Sequence, residues 1–192
     1  NKPLVKILDT IMMTDQKYRV AMDKIEKEHG RESKEWKENI EQIVYYDSVN
    51  VIKVTAILDK YGWLGADEVG SEGNQALFLV IQHADIEVQQ KYLPVMREAV
   101  KNKKANSSAL ALLEDRVALR MGGKQIYGSQ IERDEEGKFH VSALEDPENV
   151  DKRRAEVGLP PLSEYTRNWN FDWDIAAHKK YINNKKPDTK NK

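Results

Sequence analysis

The chain of 192 residues contains no cysteine, so disulfides, thiolate metal sites and cysteine nucleophiles are excluded, and with them any reading of redox compartment from cysteine usage. Excess charge of one sign is also missing. Thirty-one basic residues stand against 32 acidic ones, a formal net charge of -1, and no basic stripe is sustained enough to track a phosphate backbone. Nucleic acid is therefore not an expected partner. No apolar run approaches the length of a bilayer span, and no transmembrane segment is expected. What is present is 40% apolar and 33% charged residues with a mean hydropathy of -0.73, the composition of a water-soluble globule with one buried core. Because the chain starts at Asn1, it reads as a mature or trimmed product; its Lys/Asn/Ile-rich composition is compatible with export to a periplasmic or lipid-anchored location after removal of an N-terminal signal.

Helical periodicity dominates. Leu4, Ile7, Leu8 and Ile11 open a helix expected to run from Leu4 to Glu28, with Gly30 as its stop. Ser33 is placed to cap a second helix carrying Ile40, Ile43, Val44, Val51, Val54, Ile57 and Leu58, which Gly62 ends. The acidic stretch from Gly65 to Gly73 reads as an ordered loop or turn. Ala76 to Ile81 is apolar on nearly every side, as in a central helix. A helix through Gln89 toward Val100 contains Pro94, and another, capped by Asn106 or Ser107, stops at Gly122-Gly123. Ile126 to Ile131 and Phe139 to Leu144 flank Asp134-Glu135-Glu136-Gly137 as a β-hairpin, which would place Tyr127 and Gln130 on a strand. A helix from Asn149 to Val157 and a turn capped by Ser163 follow. The expected architecture is mainly α, a bundle of five to seven helices with one hairpin near residues 125–144. Residues 1–165 form a single domain on this reading, and 166–192 an extension with an aromatic clamp (Trp169, Phe171, Trp173) and a frayed tail.

Polar side chains on apolar helical faces select the candidate site. Residues three and four places apart are neighbours on a helix. Those of Asp115 are Ala111, Leu112, Ala118 and Leu119, so its carboxylate should be buried or half-buried and should have a partner, an Arg, His or Tyr from another element. His83 lies among Leu79, Val80 and Ile86, Asp47 among Ile43, Val44 and Val51, and Arg116 among Leu112, Leu113 and Leu119. Two readings follow. In one, the groups form a buried hydrogen-bond network inside a binding or structural module; in the other, they line a pocket in which His83 acts as acid or base with Asp115 or Asp47. Single buried polar residues are more often structural.

Other chemistries find little support. His29, His83, His140 and His178 fall in four separate segments without a His-x-x-x-His pair, so neither a metal nor a cofactor is expected. No serine occupies a Gly-x-Ser-x-Gly turn, and Gly70-x-x-Gly73 is too short and acidic to hold phosphate. Within Gln82-His83-Ala84-Asp85 the His and Asp cannot face each other on a regular helix, so a partner for His83 must come from another element.

An ordered series of motifs resembles a bacterial family of unknown function. It comprises Asp15-Gln16 with Arg19, Asp47 with Asn50, Tyr61-Gly62-Trp63 with Gly65, Val69-Gly70 with Gly73, and Gln82-His83-Ala84-Asp85. Asp115-Arg116, Gln125 with Tyr127-Gly128-Ser129-Gln130, Glu145-Asp146, Val150-Asp151, Arg153-Arg154 and Gly158-Leu159 complete it. Position 129, where Thr is expected, is Ser. The resemblance implies no reaction. It adds Gln16, Arg19, Asn50, Gln82, Asp85, Tyr127 and Gln130 to the polar cluster and coincides with the face test at His83 and Asp115. The expectation is a binding or structural domain for a small-molecule or protein ligand, with a small hydrolase-like enzyme using His83 as the alternative.

Overall fold

The computed structural model describes residues 2–185. It is mainly helical with one two-stranded antiparallel hairpin, and it divides into two compact units, Asn1–Asn106 and Ser107–Lys192. Eight α-helices occur among the described residues, against the expected five to seven. The additional helix lies at the C-terminal end, Ile175–Asn184, where Asp174 caps the first turn.

Four helices make the first unit: α1 (Lys2–His29), α2 (Lys34–Tyr61), α3 (Ala66–His83) and α4 (Ile86–Lys101). The local signals act as expected at α1 and α2. Ser33 Oγ accepts the N–H of Trp36, and the N–H of Gly62 closes α2 on the Leu58 carbonyl. The acidic stretch after Gly65 is helical, not a loop, because the Glu68 carboxylate reaches back to the Gly65 N–H at 2.9 Å and caps a first turn. Gly70 then kinks the helix with φ of 78°, a conformation that glycine adopts at little steric cost. Beyond the kink, Ala76, Leu77, Phe78, Val80 and Ile81 are all buried. Helices α1, α2 and α3 pack on one another and α4 packs on α3, which buries Leu8, Ile11, Val54, Leu77, Ile81 and Met96. Pro94 lies inside α4.

The second unit begins with α5 (Ser107–Arg120), continues through β1 (Ile131–Arg133) and β2 (Phe139–Val141), and ends with α6 (Val150–Glu156), α7 (Leu162–Tyr165) and α8 (Ile175–Asn184). Ile131 pairs with Val141, Glu132 with His140 and Arg133 with Phe139. The Asp134 carboxylate accepts the N–H groups of Glu136 and Lys138, and Gly137 completes the turn at φ of 82°. The strands are half the expected length, and residues 125–130 are neither strand nor helix. Ser163 lies inside α7, where Pro161 takes the cap position. Val141, Leu144, Val150 and Leu162 form the core, with Ile131, Tyr165, Phe171 and Trp173 packed on it. The C-terminal stretch forms α8, capped by Asp174 on the N–H of Ala177; the rest of the expected frayed tail, 186–192, lies outside the described residues.

Candidate functional site

The polar groups of the first unit meet where α1, α2 and the end of α3 come together. Asp15, on α1, is 1% exposed although it is a carboxylate. Its Oδ1 is 3.1 Å from Nδ1 of His83, the last residue of α3, and its Oδ2 accepts a hydrogen bond from Gln16 at 2.7 Å. Arg19, one turn further along α1, donates both to Asp47 Oδ1 at 2.9 Å and to Asp47 Oδ2 at 2.7 Å, and its other terminal nitrogen donates to the Asp15 carbonyl. That nitrogen also lies 3.8 Å from Asp15 Oδ1. Asn50, one turn beyond Asp47 on α2, donates to Thr14 Oγ1 at 3.1 Å. Six motif residues from three helices therefore share one cluster: Asp15, Gln16, Arg19, Asp47, Asn50 and His83.

The electrostatics follow from this geometry. Burial pushes the Asp15 carboxyl upward, but the hydrogen bond and charge of His83, the charge of Arg19 and the Gln16 amide outweigh it and hold Asp15 below its ordinary value. An ionised Asp15 accepts from the Nδ1–H of His83, which fixes the imidazole and, in its neutral form, leaves the lone pair on Nε2. Among the described residues Nε2 makes no hydrogen bond, and the His83 side chain keeps 17% of its exposure. Asp15, Asp47 and His83 could each offer one ligand atom to a cation, all within 4.8 Å of one another. Arg19 already occupies both oxygens of Asp47, so a metal ion would have to displace a guanidinium.

The remaining predicted residues stand elsewhere. Gln82 is buried, and its carbonyl accepts from Gln89 at 2.8 Å. Asp85 is exposed at the cap position of α4. In the second unit Asp115, fully buried, accepts three backbone N–H groups: Ile126 at 2.6 Å, Tyr127 at 2.9 Å and Ser129 at 2.9 Å. Its hydrogen-bond partners are backbone amides, not the expected Arg, His or Tyr side chain. Those three bonds, with Gly128 at φ of 70°, curl residues 126–129 away from strand pairing. Tyr127 and Gln130 consequently sit on a loop, which corrects their expected place on the hairpin. Arg116 Nε donates to Gln130 Oε1 at 3.1 Å.

The loop is held from every side. Gln125, fully buried, donates to the carbonyls of Gln130 and Ser142 and accepts from the Gln130 N–H. Arg154, also fully buried, donates to the carbonyls of Tyr127 and Pro160, and the Tyr165 hydroxyl donates to the Ser129 carbonyl. Of its side-chain atoms, only the buried Nη2 of Arg154 lacks a hydrogen-bond partner among the described residues, and such a network specifies one loop conformation. Asp15 was visible to the sequence only as a motif member. The face test applied to α1 finds it, since Ile11, Met12 and Tyr18 surround it at helical spacing. Gln125 and Arg154 carry no comparable signal, because the partners of their side chains are backbone groups.

A mainly helical chain with a half-buried Asp–His pair, no disulfide and no helix, among the described residues, long and apolar enough to cross a membrane is the class that fold and site define. The chain belongs to DUF6624, a family of unknown function, which matches residues 7–176. No curated protein and no solved structure matches it.

Proposed function

We propose that the first unit carries a proton-transfer site in which His83 is the acid–base group and Asp15 its positioning partner. The observation that carries this reading is the 3.1 Å contact between the buried Asp15 carboxylate and His83 Nδ1, made while the imidazole stays partly exposed. A carboxylate on Nδ1 holds the ring in the tautomer whose Nε2 can take a proton, and stabilises the imidazolium that results. Arg19 balances the charge of the neighbouring Asp47. The fitting chemistry is a hydrolase-like attack in which Nε2 accepts a proton from water or a substrate hydroxyl. Long-range proton–nitrogen correlation spectra of the full chain test the first step. The Nδ1–H tautomer of His83 supports the reading, and an Nε2–H tautomer overturns it.

A second reading, a binding or structural module, is favoured by the two-pronged Arg19–Asp47 pair and the Asn50–Thr14 bond, which tie α1 to α2. The two readings diverge for His83→Gln. A structural histidine predicts a fall of several degrees in Tm. A proton-transfer histidine predicts a nearly unchanged Tm with loss of turnover in a panel of nitrophenyl esters and phosphates.

A further inference from the structure

The other unit holds a cavity beside the hairpin. Its volume is about 220 Å³, and it is lined by Phe139, Phe171, Trp173, Asp172, Asp174 and His178, among others. We propose that this cavity binds a small organic cation of the methylated or quaternary ammonium class.

The rings give the first reason. Phe171 and Trp173 pack on the core of Val141, Leu144, Val150 and Leu162, yet remain only partly buried. They are anchored on the core and still offer surface to the cavity. The negative face of an aromatic ring attracts a cation, Trp most strongly, and a set of such rings around a small volume suits an ammonium whose methyl groups cannot donate hydrogen bonds. Phe139, in the lining, already carries such a contact with the Arg133 guanidinium 4.3 Å from its ring centre, which leaves Phe171 and Trp173 as the faces for a ligand. Trp173 has no cation on its face among the described residues.

Charge gives the second. Asp172 is exposed and makes no hydrogen bond or ion pair among the described residues, so its carboxylate is available to an arriving cation. Asp174 places Oδ1 on the N–H of Ala177 and so masks the first turn of α8, which would otherwise favour an anion. Burial, the largest influence on His178, depresses its basicity against the opposing hydrogen bond with Val141. Burial thus disfavours a positive charge on the imidazole, whose ring centre lies 5.1 Å from that of Trp173. His140 is committed elsewhere, stacked on Tyr181 at 3.7 Å with Nε2 at 2.7 Å from Asp134. The lining thus combines aromatic faces with the unpaired carboxylate of Asp172.

The test uses choline and its neutral isostere 3,3-dimethylbutan-1-ol on the full chain, followed by calorimetry and by the indole N–H signal of Trp173. Choline is expected to shift that signal saturably, and the neutral alcohol to bind about tenfold more weakly. Trp173→Leu should abolish binding. Since Trp173 also packs on the core, Asp172→Asn serves as the variant that leaves the fold intact, with affinity expected to fall about fivefold. Absence of a saturable shift, equal binding of the neutral isostere, or undiminished affinity in Asp172→Asn would each overturn the proposal.

Discussion

His83 Nδ1 and Asp15 Oδ1 lie 3.1 Å apart although 68 positions separate the two residues in the chain. The pair joins the start and the end of the three-helix arrangement α1–α2–α3. It also makes the first unit sensitive to acid. Asp15 is held below its ordinary value of 3.8, so its folded-state pKa is depressed. A depressed carboxylate contributes stability that is fully present above the unfolded value and lost as pH falls through the folded one.

Asp15→Asn should therefore lower Tm at neutral pH, and the gap from the unaltered protein should narrow below about pH 4. Thermal melts across that range check it. A gap that stays constant down to strongly acid pH would mean that the Asp15 charge contributes nothing to folding.

Asp115 offers a different kind of test, because its acceptors are spent on three backbone amides. Asp115→Ala leaves those buried donors without a partner and should cost roughly 3–5 kcal/mol, with loss of the ordered loop at 126–129. Chemical denaturation measures the cost, and amide exchange at Ile126, Tyr127 and Ser129 should accelerate. A loss below about 1 kcal/mol would show that water replaces the carboxylate.

The contrast between these two carboxylates explains how far the sequence could be read. Ends marked by residues acting within one turn, such as Ser33 and Gly62, were legible because the cap and its partner are close in sequence. The burial of Asp115 was legible from its own helical face. Its partners were not, since backbone amides carry no residue identity, and the same bonds override the strand preference of Ile126 and Tyr127. The early start of α3 was hidden because Gly65 and the acidic residues after it look like a loop until Glu68 is seen to cap the turn. His83 could be named, but its partner depended on how α1 and α3 pack.

Gly128 should tolerate no side chain. A Cβ there would lie 3.0 Å from Leu162 Cδ2 at φ of 70°, so both backbone and core resist it. Gly128→Ala is expected to cost about 2–4 kcal/mol, the sum of a left-handed alanine and an overpacked Leu162. Gly70→Ala, at φ of 78° with nothing within 4 Å of its Cβ, should cost only about 1–2 kcal/mol. Equal losses in paired denaturation curves would remove Leu162 from the explanation.

Arg19 is expected to keep metal ions out of the His83 cluster. Asp15, Asp47 and His83 bring one ligand atom each to within 4.8 Å of one another, enough for three protein ligands on a zinc ion with water as the fourth. The guanidinium that spans both oxygens of Asp47 supplies the positive charge in place of a metal, and a divalent ion arriving beside it would meet both repulsion and an occupied carboxylate. Arg19→Gln removes that charge and frees Asp47. The variant alone should melt at a lower temperature, since two neighbouring carboxylates lose their counter-ion. Zinc should then raise its Tm by several degrees while leaving the unaltered protein unmoved, because a ligand stabilises a fold only as far as it binds the folded state. Asp47→Asn in the Arg19→Gln background should erase the zinc response. If zinc stabilises the unaltered protein as strongly as the variant, Arg19 does not guard the site, and Asp15, Asp47 and His83 would have to be regarded as a metal centre from the outset.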